Sequence, residues 1–98
     1  MKVYSNVTGT AASSSAKIVK TSALVITWNG MTGGSFTPQW SKDGGTTWVD
    51  YAIGSQSAAA GKIEAQVEAP GLIRLNGTSI TGGIYAYIDG DFVIDPSA

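Results

Sequence analysis

The chain has 98 residues, room for one domain and one hydrophobic core, and only six basic and seven acidic residues give a net charge of −1. Charged residues are 13% of the total, about half the share in an average soluble protein. Lys2, Lys17, Lys20, Lys42, Lys62 and Arg74 are scattered, which argues against a nucleic-acid partner, because phosphate binding needs concentrated positive charge.

In chain order, no segment sustains a helical period. Short runs rich in Val, Ile, Thr and aromatics lie between turn signals such as Asn29-Gly30, Asp43-Gly44-Gly45, Asn76-Gly77, Gly82-Gly83 and Asp89-Gly90. This spacing predicts an all-β domain of about eight short strands, a small antiparallel β-sandwich or jelly-roll. Val3 to Thr8 reads as an edge strand, Thr10 to Ser15 as a loop, and Lys17 to Lys20 as a short paired segment. Ala23 to Asn29 puts Leu24, Ile26 and Trp28 on one face and Val25 and Thr27 on the other. Ser35 to Ser41 puts Phe36, Pro38 and Trp40 together. Pro38 lacks an N–H, so its strand belongs at an edge or carries a bulge. A strand over Thr46 to Ile53 follows, then a small-residue loop over Gly54 to Gly61.

Lys62 to Glu68 alternates, with Ile63, Ala65 and Val67 inward. Leu72 to Asn76 follows Ala69-Pro70-Gly71, and matching the apolar faces predicts a hairpin pairing Val67 with Ile73 and Ala65 with Leu75. Arg74 would then lie beside Gln66. Ile84 to Asp89 and Asp91 to Ile94 read as a final hairpin across Asp89-Gly90. Ile84, Ala86 and Ile88 take its core face, while Tyr85 and Tyr87 take the other. Residues 1–98 thus read as one domain, with 1–22 an extended arm or an edge strand.

The chemistry-bearing residues are few. The chain has no His and no Cys, so there is no disulfide or thiolate site, and a Ser nucleophile would need another base. The acids Asp43, Asp50, Glu64, Glu68, Asp89, Asp91 and Asp95 fall mostly at turns or on a solvent face. A paired-carboxylate glycosidase is the sharpest enzymatic reading, but no pair fills the required roles. The expectation is a non-enzymatic protein with no catalytic residues and no cofactor. Asp89-Gly90-Asp91 is short of oxygens for calcium and is better read as a turn, so no metal is expected. Asn6-Val7-Thr8 and Asn76-Gly77-Thr78 match the glycosylation sequon, but Asn76-Gly77 is better read as a turn. No apolar run follows Lys2, and no segment is long and apolar enough for a membrane helix. Neither a signal peptide nor a membrane partner is expected.

The most specific local pattern is Ser41-Lys42-Asp43-Gly44-Gly45-Thr46-Thr47-Trp48. Asp43 can bind the N–H groups of its own turn, the glycines accept φ > 0, and Trp48 can fold back over the turn. This pattern resembles the Asp-box hairpin of sialidases and other β-propellers, where it is structural and lies away from the active site. A propeller is excluded by length. The resemblance implies a structural hairpin built on Ser41, Asp43, Gly45 and Trp48. Trp28, Trp40, Trp48 and Tyr51 are candidates for a sugar-stacking platform, against the plainer reading that Trp28 and Trp40 belong to the core. Tyr4, Tyr85 and Tyr87 are candidate contact residues, because Tyr is favoured at interfaces.

Over residues 23–94 the run "WSKDGGTTWVDY" followed by "KIEAQVEAPGLIRLNGTSITGGIYAYI" resembles small tailed-phage virion proteins of the capsid decoration, or cement, type. That resemblance implies a β-sandwich bacteriophage structural protein that stabilises contacts between coat subunits. Its partner would be the major capsid protein. By analogy it would form a homo-oligomer such as a trimer, located in the virion after assembly in the host cytoplasm. The alternative is a carbohydrate-binding or host-attachment module of a tail or fibre protein.

Overall fold

A computed structural model describes residues 1–20, 22–90 and 93–94. The all-β class expected from the sequence is what it shows. Eight strands, with no helix among the described residues, form a curled antiparallel sheet: β1 (Lys2–Gly9), β2 (Ala16–Ile18), β3 (Ser22–Asn29), β4 (Gly33–Ser41), β5 (Val49–Asp50), β6 (Gly61–Val67), β7 (Gly71–Asp89) and β8 (Val93–Ile94).

The long strand β7 organises everything else. Its first half pairs with β4, from Ser41 opposite Leu72 to Ser35 opposite Thr78, and on its other side with β2. Its second half pairs with β1 and β3, with Ile26 opposite Ile88 and Asn29 opposite Tyr85. β4 continues past a register shift to Gly33 opposite Thr81, and Ser79, inside that shift, has φ 51°, a conformation rare for a residue other than glycine. The Ser79 N–H is held by the Thr10 hydroxyl at 3.0 Å. Just before it, the Gly77 N–H donates to the Ala11 carbonyl at 3.0 Å.

Asn76-Gly77 and Gly82-Gly83 are therefore not turns, and Leu72 to Asn76 and Ile84 to Asp89 are one strand. The glycines serve close approach. A β-carbon on Gly77 would lie 2.8 Å from the Tyr4 hydroxyl and 2.5 Å from Ile80 Cδ1. Gly82 has φ 91°, and a β-carbon there would sit 2.6 Å from the Gly30 carbonyl oxygen.

Three expected pairings are corrected. β6 lies against β3, with Leu24 opposite Ala65 and Ile26 opposite Ile63, and does not form a hairpin with the start of β7. Val67 thus faces Ser22, and Arg74 faces Gln39 instead of Gln66. β8 pairs with β2, Ile18 opposite Val93, so the expected final hairpin gives way to a more distant partner. Asp91 and Asp95 lie outside the described residues. The strand expected over Thr46 to Ile53 shrinks to Val49–Asp50. Of the segment read as an arm or edge strand, β1 is an edge strand on β7, as read, while β2 lies between β7 and β8.

The face assignments within strands hold. Leu24, Ile26, Phe36, Ile73, Leu75, Ile84, Ala86 and Ile88 are fully buried, and Trp28 joins them. The Trp28 ring meets Phe36 edge-on at 4.9 Å and 82°, a favourable aromatic geometry. Pro38 is buried. The Phe36 N–H points away from β7, to Gln56, so the alternation of the strand puts the Pro38 nitrogen on that same side. Its missing N–H costs β7 no hydrogen bond.

Candidate functional site

The Asp43 hairpin is closed by interactions among near neighbours in sequence. The buried Ser41 hydroxyl donates to Asp43 Oδ1 at 2.7 Å and accepts the Gly45 N–H at 2.9 Å. Asp43 Oδ1 also accepts the Thr47 N–H at 2.8 Å. That N–H above all, then the Ser41 and Thr47 hydroxyls, lowers the Asp43 carboxyl to about 2. These bonds favour the ionised form. Gly44 and Gly45 have φ 75° and 95°, as the turn requires. The Trp48 indole N–H donates back to the Gly45 carbonyl at 3.0 Å. Ser41, Asp43, Gly45 and Trp48 are thus brought together, and each has a structural task.

The outer face of this hairpin carries a row that composition and motif did not reveal. Asp50, Gln39 and Arg74 stand opposite one another across β5, β4 and β7. Gln39 Nε2 donates to Asp50 Oδ1 at 2.7 Å, and Arg74 Nε donates to Gln39 Oε1 at 2.9 Å. The Arg74 guanidinium then lies 4.2 Å from the centre of the Trp48 ring, a cation–π stack. Only the register of β7 on β4 brings Arg74 here, and no local signal encodes that register.

Beside the hairpin is a cleft of about 230 Å³ lined by Trp40, Tyr51, Lys42, Gln66, Glu68 and Leu72, among others. The Trp40 and Tyr51 rings are 6.5 Å apart and tilted by 49°. Lys42 Nζ sits 5.5 Å from the Trp40 ring centre and 3.0 Å from Glu68 Oε2. Burial, and then the Glu68 charge, pushes the Tyr51 phenol up to about 12. The four aromatics proposed as a platform do not form one. Trp28 is buried, with its N–H donating to the Ala58 carbonyl at 2.9 Å, and Trp48 is stacked by Arg74. Trp40 and Tyr51 do share a cleft. Sequence reasoning had not placed Gln66 or Glu68 there.

Tyr85 and Tyr87 lie half-buried on the outer face of β7. Lys2 Nζ is 5.8 and 5.9 Å from their ring centres. The third candidate contact residue is a correction: Tyr4 is only 2% exposed. Bulges shift the β1 register around it, and this turns its ring inward. Its hydroxyl donates to the carbonyls of Ala11 and Leu75 at 2.5 and 3.1 Å. Burial raises its phenol to about 12.

Among the described residues, no three His, Cys, Asp or Glu side chains gather as a metal site, and no helix is long and apolar enough to cross a membrane. Comparison with protein-family models, curated proteins and solved structures gave no match to the chain.

Proposed function

We propose that this chain is a non-enzymatic structural protein of a bacteriophage virion, a capsid decoration protein that stabilises contacts between coat subunits. The observation that carries the reading is the outer surface. It has little formal charge and presents Tyr85 and Tyr87 half-exposed on the long strand that β1, β2, β3 and β4 all pair with. Rigid Tyr side chains give contact area at little cost in conformational entropy, and a sparsely charged surface loses little solvation when covered. The resemblance of residues 23–94 to decoration proteins supports the same reading. The partner is the major capsid protein, and the location is the virion, assembled in the host cytoplasm. The test is co-sedimentation of the purified protein with undecorated capsids of its own virus. Saturable binding is expected, and a protein left wholly in the supernatant overturns the proposal.

The Trp40–Tyr51 cleft favours a second reading, a carbohydrate-binding module of a tail or fibre protein. Its volume suits a single sugar ring, and Gln66, Lys42 and Glu68 offer donors and acceptors beside the aromatic rings. A shift of tryptophan emission on adding oligosaccharide is its expected sign. Emission unmoved across a panel of sugars sinks it.

A further inference from the structure

We infer that the free edge of β6 pairs with the same edge of a second copy, antiparallel and centred on Ala65. This is independent of the proposed role in the virion. Among the described residues β6 pairs with β3 alone, and its far side there presents an unpaired row of backbone groups. The other edges among the described residues are poorer templates. β5 and β8 are two residues long, and β1 is interrupted by three register shifts. β6 keeps an unbroken register over its whole length.

The neighbouring ladder fixes which groups point outward. The Ile88 N–H donates to the Met1 carbonyl at 2.8 Å, and the Ile88 carbonyl accepts from the Met1 nitrogen at 3.0 Å. Ile88 therefore directs both groups away from β3. Ile26, opposite Ile88, must direct its own towards β6, where Ile63 faces it. By alternation, Ile63, Ala65 and Val67 bond to β3, and Lys62, Glu64 and Gln66 turn their N–H and C=O groups to the open side.

Two-fold pairing of this edge allows only registers that match outward groups with outward groups. Centring on Glu64 would set that carboxylate against its own copy, which is unfavourable. Centring on Ala65 sets Lys62 against the second copy's Glu68, twice, and Glu64 against its Gln66, twice. It pairs residues 63–67 of β6 within the strand and runs past its end to Glu68. On the inner face, Ile63 meets the second copy's Val67 and Ala65 meets Ala65, so the apolar surface continues across the join. Lys62, Glu64, Gln66 and Glu68 are all exposed. Glu68 already contacts Lys42, so in the dimer it would lie between two cations. The contact is isologous and closes with two copies.

The test is molar mass by sedimentation across a concentration series. A monomer–dimer equilibrium is expected, weakened by salt. Glu64→Pro removes an outward N–H without touching the bonds to β3 and should give a monomer. Lys62→Glu should weaken the dimer about tenfold by creating two like-charge pairs. Adding Glu68→Lys should restore it, a readout that holds even if the proline variant fails to fold. A wild-type chain that stays monomeric or forms trimers overturns the inference, as does a dimer indifferent to these substitutions.

Discussion

Asp43 holds its turn best as an anion, because its Oδ1 atom accepts from both the Thr47 N–H and the Ser41 hydroxyl and a charged acceptor makes the stronger bonds. Its carboxyl is lowered from the usual 3.8 to about 2. The stabilisation it gives is therefore complete above pH 3.8 and is lost as the pH falls towards 2. Amide exchange at Thr47 and Gly45 should stay slow through mild acid and quicken in that window. Asp43→Asn should show the quickened exchange at neutral pH. Tyr4 has the opposite sign. Its neutral phenol is favoured by burial, with a value of about 12, so its contribution is complete below pH 10 and is lost as the pH rises through 12. Tyr51 moves the same way. An alkaline unfolding transition is expected there by near-ultraviolet absorbance and circular dichroism. Tyr4→Phe leaves the Ala11 and Leu75 carbonyls without this donor and should cost about 1–2 kcal/mol in chemical denaturation.

Among the elements, β7 separates what the sequence made legible from what it did not. Period-two alternation placed Ile84, Ala86 and Ile88 inward and Tyr85 and Tyr87 outward, because facing is a local property of a strand. Partner choice is not local. Val67 and Ile73 present matching apolar faces on either side of Ala69-Pro70-Gly71, yet β3 offers β6 an equally apolar face and takes it. Asn76-Gly77 looks like a turn because those residues are common in turns. Here Gly77 is required for want of space, a fact set by Tyr4 and Ile80 from other parts of the chain. The Asp43 hairpin was readable for the converse reason, since its partners lie within a few residues of one another. Gly77→Ala crowds the Tyr4 hydroxyl and the Ala11 carbonyl and should cost about 1–3 kcal/mol, seen as a lower denaturation midpoint with an unchanged slope.

For the whole molecule, most strand pairings join segments far apart in the sequence. β1 closes on the end of β7, and β2 closes on both the start of β7 and β8. Such topologies fold slowly, because loop-closure entropy is lost before the contacts form. Refolding followed by tryptophan fluorescence should be a single phase in the range of about milliseconds to seconds. A burst completed in microseconds would contradict this account. The sparse charge and the exposed Val19, Val49 and Ile53 give the surface little to repel a neighbour, which is the property the proposed role relies on.

The change of partner along β7 has a mechanical consequence. β3 and β4 are joined end to end by residues 30–32, and both are also hydrogen-bonded to the one continuous backbone of β7. A pull on β4 therefore reaches β3 by two routes, along that short link and along β7, so a single break in either would leave the two ends of the molecule coupled through the other.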